Sequence, residues 1–446
     1  MIIEITESEL LSYAKNKKYS LTACFPKKDK EVYVWTDYTS GSIEFVMTGS
    51  PDIDINRTPS QTLGLSGQFA LPPEANIGEI RPVLHALSGN YNAYCKECPD
   101  DVFKLHYGPV SSGLWESGAF HILSYGERIL NVAPDLGYKH RAIEKKICGM
   151  NVKDALLLIE RLCGTFSVAY SNAFCSAVEE SIPERAEAIR IIALELERIY
   201  NHIHAIQRLA TAASQSVAAS QFSALEEDVL RLNAKFFRHR YLFGLNIPGG
   251  VRKDINTKVL LGKIIDIKRE FDKLVELLIT STIFIDRLHN TAILNVEDII
   301  RLDTIGIPAR ASGVGKDVRN FNSIYTDTPF RVAVEEYGDA LSRMMVRITE
   351  IRNSVEIIKF FAENLPQTEL KTDVNASGFL YGRSEAPPGD ILTALEVENG
   401  IIKWAGIRPP STINYPAFAV AIEGNIFTDF SFGIESFGLS FADSDR

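Results

Sequence analysis

The stretch "IPERAEAIRIIALELERIYNHIHAIQRLATAAS", Ile182 to Ser214, constrains the fold of this chain more than any other. Its apolar residues recur at three- and four-residue steps over about nine turns, which is the helical period. A helix this long with one apolar stripe needs neighbours that cover it. The sequence supplies them. "NVKDALLLIERLCG", "SALEEDVLRLNAKFF", "KIIDIKREFDKLVELLITSTIFIDRL" and "GDALSRMMVRITEIRNSVEIIKFFAEN" carry the same period between residues 151 and 364. Together they predict a packed helical bundle from residue 140 to about residue 365.

Strand-like alternation flanks the bundle. "EVYVWTDY" and "SIEFVMTG" are rich in β-branched and aromatic residues, and "SELLSYAKNKK" before them has helical spacing. "TGSPDIDINRTPSQ" then breaks the pattern with turn residues. Residues 1–100 therefore read as a small N-terminal α/β domain, and residues 101–446 as a second, mainly helical domain with short β elements at both of its ends. The fold class is α+β. In "FHILSYGERILNVAP" the Tyr125-Gly126 pair between two alternating runs predicts a hairpin. Beyond Pro366, "ILTALEVENGIIKWAGI" reads as short strands, followed by a Phe-rich tail.

Composition removes several function classes. At 46% hydrophobic and 23% charged, 446 residues bury a substantial core. A formal net charge of −10 excludes the basic surface that nucleic acid requires. The most apolar window, Leu274 to Ile285, is interrupted by Glu276 and is shorter than the roughly 18 residues of a spanning helix. "MIIEITESEL" resembles neither a secretory signal nor a transit peptide. The six cysteines thus read as free thiols of a cytoplasmic chain. Cys95 and Cys98 alone have ligand-like spacing, but a pair is half of a closed metal site, and the simpler reading is a turn before Pro99.

The order of motifs carries a resemblance. From about residue 104 onward the chain presents "GPVSSGLWES", "GERILNVAPDLGYKHRAIEKK", "RLCGTFSVAYSNAFCSAVEESIPERAEAIRIIALELERIYNH", "PGGVRKDI", "PARASGVGKDVRN", "GDALSRMMVRITEI", "EAPPGD" and "SFGLSFADSDR". In this order they resemble the large subunit of membrane-bound nickel–iron hydrogenases of the hydrogenase-4 and formate hydrogenlyase type. They are similar, more distantly, to the quinone-site (49 kDa-type) subunit of respiratory complex I. The resemblance implies a hydrogenase large-subunit-like domain over residues 101–446. It also implies an N-terminal domain similar to the small hydrophilic partner subunit of complex I.

Departures from the family pattern bear on chemistry. The hydrogenases hold their metals with four thiolates from two C-x-x-C pairs; the resemblance puts Cys163 and Phe166 at the first pair, and Ser440 and Asp443 at the second. Three of the four thiolates are replaced, and a phenyl ring or a neutral hydroxyl cannot bridge two metals. No metal site is expected. Tyr170 stands where the hydrogenases carry a histidine, Ser111 where complex I carries its quinone-site histidine, and Gly164 at that site's tyrosine. Ser111 and Gly164 cannot do the proton work of those residues. Tyr170, His106 and His140 could supply a different proton donor. Glu116 is retained at the position of a proton-relay glutamate. With Cys163 and Asp443 it is expected to face one cavity, where Glu116, Tyr170 and Asp443 are candidate catalytic groups and Ser111, Gly164 and Cys163 candidate ligand contacts. Arg310, Arg319, Arg343 and Arg347 are expected either to neutralise buried acids or to face a partner.

The implied function is that of an electron-transfer subunit in a complex I-like or hydrogenase-4-like oxidoreductase without a nickel–iron centre. It would help couple electron flow, from NADH or another donor to a quinone-like acceptor, to ion translocation. A non-catalytic structural subunit is the alternative, and an active hydrogenase is the reading least compatible with the ligand count. The chain itself would bind no cofactor unless it binds quinone. Its partners would be a small iron–sulfur subunit with a 4Fe-4S cluster and the membrane-arm subunits. That would put it peripherally on the cytoplasmic face of a bacterial or archaeal cell membrane.

Overall fold

The computed structural model describes residues 2–5, 20–27, 30–38, 40–49 and 102–446. Cys95, Cys98 and the helix expected over residues 8–18 lie outside them. Four strands come first: β1 (Ile2–Ile5), β2 (Ser20–Lys27), β3 (Lys30–Thr36) and β4 (Ile43–Gly49), in sheet order β1-β4-β3-β2. A second sheet follows, in which β5 (Phe103–Tyr107), β6 (Ala119–Tyr125) and β7 (Arg128–Asp135) run antiparallel in sequence order. The hairpin expected at Tyr125-Gly126 is the β6–β7 turn, with Gly126 at φ +55°.

The helical body comprises α1 (Ile143–Ile147), α2 (Val152–Ile159), α3 (Ser167–Val178), α4 (Glu184–Ala212) and α5 (Ser216–Phe237). A short hairpin of β8 (Asn246–Ile247) and β9 (Gly250–Val251) precedes α6 (Thr257–Ile279), α7 (Thr282–Leu288), α8 (Val296–Arg301), α9 (Gly306–Ala311) and α10 (Ala340–Glu363). Asn151 caps α2 by accepting from the Asp154 N–H at 2.9 Å, and Asp339 caps α10 by accepting from Ser342 at 2.8 Å. Glu184 and Glu187 lie in the first turn of α4, where the helix dipole favours acids. The sequence between Lys263 and Leu288 reads as one helix but folds as two, because the chain breaks at Thr280–Ser281.

The antiparallel sheet β10 (Gly378–Ala386), β11 (Gly389–Glu398), β12 (Ile401–Arg408) comes next. The Phe-rich tail is helical: α11 (Pro410–Ile422), α12 (Phe430–Phe437) and α13 (Phe441–Asp445). Its phenylalanines leave water together, with Phe120 packing edge-to-face on Phe418, Phe430 and Phe441 at centroid distances of 5.7, 5.2 and 5.7 Å.

Two cores result. The larger joins α2–α7, α10 and the β10–β12 sheet, with α4 at its centre. The smaller joins β6, β7, α8, α9 and the three tail helices. The N-terminal sheet covers β11 and β12: Phe25, Val32, Val34 and Phe45 pack on Leu392 and Ala394, and the Phe25 and Trp404 rings lie 5.9 Å apart.

Strand β10 lies directly on α3, and Gly382 permits that approach. A Cβ at this position would stand 2.2 Å from the Ala173 carbonyl oxygen and 2.4 Å from the Ala177 nitrogen, both backbone atoms. Gly382→Ala must therefore push the sheet off α3. The expected cost is about 3 kcal/mol, the upper range for overpacking, read as a lower urea midpoint of the purified chain.

Candidate functional site

Three segments meet where the two cores adjoin. The first is the β5–β6 loop, which carries Glu116. The second is the Cys163–Phe166 turn, which leads into α3. The third is the tail from Gly438 to Asp443, between α12 and α13. Gly438 ends α12 at φ +68° and turns the tail back into the molecule, a conformation that suits glycine. The Cys163 turn is held from α4: the Tyr200 hydroxyl and the Asn201 amide donate to the Thr165 carbonyl at 2.8 and 2.9 Å. Glu197, fully buried, accepts the Val168 and Ala169 N–H groups of the first turn of α3 at 2.7 and 2.9 Å.

Ser440 is the hub. Its hydroxyl lies 3.1 Å from both Glu116 carboxylate oxygens and 3.7 Å from Cys163 Sγ, and it accepts the Asp443 N–H at 3.2 Å. A hydroxyl has one proton, which goes to Glu116, so the Cys163 thiol donates toward Ser440 or Thr165 Oγ1 at 3.2 Å. Glu116 also accepts the Ala442 N–H at 2.9 Å and lies 3.8 Å from Lys139 Nζ. Behind this chain, the Tyr170 hydroxyl donates to Asp443 Oδ1 and the Ser411 N–H donates to Oδ2 at 3.0 Å.

Burial sets the electrostatics. It pushes the Cys163 thiol up to about 12, with the Asp443 charge adding to the effect. Burial also raises the Asp443 carboxyl to about 6, against the hydrogen bonds from Ser411 and Tyr170. The Tyr170 phenol is raised well above its ordinary range, by burial first and the Asp443 charge second. The group is thus a neutral thiol, a neutral phenol and a carboxyl that titrates near neutrality. Only Glu116 is partly open, its side chain 29% exposed.

This donor set does not fit a nickel–iron centre. The one sulfur is held as a thiol, Phe166 is buried and apolar, and the Ser440 proton is committed to Glu116. Both Asp443 oxygens already accept hydrogen bonds. Soft bridging ligands are what such a centre needs.

A cleft of about 170 Å³ opens over the cluster, lined by Glu116, Thr165, Phe166, His202 and Ser440 among others. At its rim the Arg208 guanidinium lies 3.6 Å from the centre of the exposed Trp115 ring and forms an ion pair with Glu435. His202 leads inward, to Glu350 at 2.8 Å.

The structure brings Glu116, Cys163, Tyr170 and Asp443 together, as the sequence suggests. It does not bring Ser111 or Gly164 to them: neither lines the cleft, and Gly164 is exposed. His106 lies on exposed β5, and the His140 Nδ1 faces the Asp445 carbonyl at 2.7 Å, so neither joins the cluster. Arg310 and Arg319 form ion pairs with buried acids, whereas Arg343 and Arg347 make none among the described residues. They donate to the Gly338, Ala292, Ser436 and Phe437 carbonyls, and burial lowers them to about 9 and 10. All four are buried and none faces outward. Three residues apart, Arg141 and Glu144 have the spacing of a helical ion pair, but they bond elsewhere: Arg141 to the Arg161 and Leu162 carbonyls, Glu144 to Arg446. Thr165, Ser411, Trp115 and Arg208 escape sequence reasoning, because nothing in their spacing ties them to Cys163.

The Asp443 shift has a measurable sign. An unfolded aspartate titrates near about 3.9, so between that pH and about 6 the folded chain holds a proton that the unfolded chain releases. The stabilisation is complete below about pH 4 and is lost as pH rises through 6. Asp443→Asn removes this slope. Relative to the variant, the natural chain is expected to lose up to about 3 kcal/mol from pH 4 to pH 7, checked by urea titrations of both at each pH.

Comparisons with known proteins agree with this architecture. The family model for the respiratory-chain NADH dehydrogenase, 49 Kd subunit, matches residues 214–377. The alpha chain of the membrane-bound hydrogenase of Pyrococcus furiosus is 28% identical over 373 residues, covering 77% of this chain and 87% of that protein. Among solved structures, one from the membrane-bound sulfane sulfur reductase, an archaeal respiratory membrane complex, superposes with a TM-score of 0.73. It covers 78% of this chain and 100% of that one at 23% identity, a likeness of fold. An NADH-quinone oxidoreductase subunit of Dehalococcoides mccartyi is 30% identical over 349 residues, covering 72% of this chain and 92% of that protein. The chain belongs to the family of the 49 kDa subunit of respiratory-chain NADH dehydrogenase.

Proposed function

We propose that this chain is an electron-transfer subunit of a membrane-associated oxidoreductase of the complex I or membrane-bound hydrogenase kind, working without a nickel–iron centre. The observation that carries the reading is the Glu116–Ser440–Cys163 chain beside the Tyr170–Asp443 pair. Where the thiolates are lost, a line of proton-handling groups still runs from a half-open carboxylate to a buried site. Its relatives are named as subunits of NADH-quinone oxidoreductases and membrane-bound hydrogenases.

In this reading electrons arrive from the 4Fe-4S cluster of a small iron–sulfur subunit, and the chain holds no redox group of its own. The acceptor is quinone-like and enters the cleft. As two electrons reduce the quinone to the quinol, each of its carbonyl oxygens takes up one proton, which Glu116 passes inward through Ser440 and replaces from the solvent side near Lys139. Membrane-arm subunits couple the turnover to ion movement. No helix among the described residues is long and apolar enough to cross a membrane. In this reading the chain sits peripherally, on the cytoplasmic face, as a subunit of that membrane-associated complex.

A structural role is the second reading, favoured by one observation: the Cys163 thiol is sealed from solvent and held protonated. The test is to purify the complex from membranes and assay it with a water-soluble quinone. Quinone reduction that disappears in Tyr170→Phe and Glu116→Gln complexes of unchanged composition supports the first reading. Rates equal to the natural complex in both leave the structural one.

A further inference from the structure

Behind the tail stands a buried phenol that the proton line does not use. Tyr415 lies on α11 one turn beyond Ser411, on the same face, since residues four apart are neighbours on a helix. Ser411 itself holds the tail: its N–H donates to Asp443 at 3.0 Å and its hydroxyl accepts the Ser440 N–H at 3.2 Å. The Tyr415 ring lies 6.2 Å from that of Phe120 and 5.2 Å from that of Phe441, the residue between Ser440 and Ala442, which both bond Glu116. The side chain is 1% exposed, yet its hydroxyl makes no hydrogen bond among the described residues. A buried hydroxyl left unpaired costs the full desolvation of that group.

Three carboxylates bear on the phenol: Glu116, Asp445 and Asp443. Glu116 is held by Ser440, the Ala442 N–H and Lys139, and both Asp443 oxygens accept, from Tyr170 and Ser411. Asp445 Oδ2 accepts the Lys139 N–H at 2.9 Å. That leaves Asp445 Oδ1, which is buried and carries no hydrogen bond; the Gly137 N–H bears on this carboxylate without closing one. One donor and one acceptor are therefore left over in the same neighbourhood, and they do not bond each other. Buried polar groups in that position are met by internal water, which needs two or more polar partners. Lys139 ties the pair to the cleft, because its N–H is on Asp445 while its Nζ lies 3.8 Å from Glu116.

We propose that Tyr415 and Asp445 hold one internal water between them, and that this water is the inlet through which Glu116 regains the proton it gives up. The water accepts from the phenol and donates to Asp445 Oδ1, which leaves its second hydrogen for Glu116. In the transfer a solvent proton entering beside Lys139 joins the water as one of the water's own hydrogens passes to the Glu116 carboxylate. No electron moves, and Tyr415 and Asp445 keep their protonation, so both are positioning residues. The inference rests on the reading of Glu116 as a proton-transfer group.

The experiment starts with urea unfolding of the full chain, comparing the natural protein with Tyr415→Phe, Asp445→Asn and the double variant. Tyr415→Phe keeps the ring and is expected to lower the folding equilibrium constant about fivefold, the net worth of one hydrogen bond. The double variant is expected to lose less than the two single losses combined, because the second change finds the water already gone. A Tyr415→Phe chain as stable as the natural one, or more stable, would mean a dry hydroxyl, and additive losses would mean separate partners; either result overturns the proposal. In the assembled complex, Tyr415→Phe is expected to lower kcat with a water-soluble quinone about tenfold at unchanged KM, short of the hundredfold scale of the transferring group itself. The solvent deuterium isotope effect should rise with it. A lower urea midpoint with an unaltered kcat leaves a structural water and overturns the inlet. A natural complex that reduces no quinone sinks the reading of Glu116 and the inlet with it, while the midpoints still decide whether the water is held.

Discussion

Replacing Arg310 with methionine is expected to cost about 3–5 kcal/mol of stability, the range for removing one partner of a buried ion pair. The guanidinium is fully buried and stands 2.9 Å from Glu350, 2.8 Å from Glu385 and 3.4 Å from Asp317. These belong to one cluster with Arg198, Arg319 and Glu195, joining α4, α9, α10 and the end of β10. The Tyr325 and Ser354 hydroxyls donate to Glu195 at 2.7 and 2.6 Å and complete its satisfaction. Methionine keeps most of the arginine volume, so the loss reports charge more than cavity. Glu385, whose carboxyl burial and Asp317 already push up, would then be driven to hold its proton. A urea midpoint that falls by the corresponding amount supports the assignment; an unchanged midpoint would mean that the cluster carries little of the stability. Arg231→Ala, at the exposed Glu227 pair, is expected to leave the midpoint where it is.

Glu116→Gln is expected to lower quinone reduction by the assembled complex on the order of a hundredfold, the scale of a positioned proton-transfer group. Glutamine retains the length of the side chain and one oxygen to accept from Ser440 or Ala442, so the tail stays docked. What it loses is the ability to take up and release a proton. Glu116→Asp is expected to recover part of the rate, because the carboxyl is kept but withdrawn from Ser440. His140→Asn provides the contrast, since that ring faces the Asp445 carbonyl and lies outside the cluster, and its rate is expected to match the natural complex. A Glu116→Gln complex with an unaltered rate would remove Glu116 from the proton path.

How much of this was legible in the sequence depends on the range of the interactions involved. The nine-turn helix that became α4 declares itself through its period, and the β6–β7 hairpin through its turn residues, since both signals are local. The break at Thr280–Ser281 does not show, because the apolar stripe continues through it. Nor does the helicity of the tail, where the Phe spacing serves packing on Phe120, a residue some three hundred positions away in the chain. Charge pairing misleads at Arg141 and Glu144, since local spacing cannot reveal that Arg446 competes for Glu144.

At the site, Cys163, Glu116 and Asp443 converge as the resemblance implies, yet no rule of spacing joins Tyr170 to Asp443 across 273 residues. Ser411 and Thr165 are still harder to foresee. Their roles arise from a backbone N–H and a hydroxyl, groups that many neighbouring residues also offer. Ser111 and Gly164 show the converse: these positions, matched by family order, lie outside the cleft in this chain, although the loop and the turn that carry them line it through Glu116, Thr165 and Phe166.

That the cavity works without a nickel–iron centre is checked by counting the metals of the assembled complex. The complex, purified from membranes with its iron–sulfur partner, should be analysed for nickel and iron by mass spectrometry. Iron is expected at the level that the partner's clusters require, with no stoichiometric nickel. One nickel per complex, lost when Cys163 is changed to serine, would contradict it.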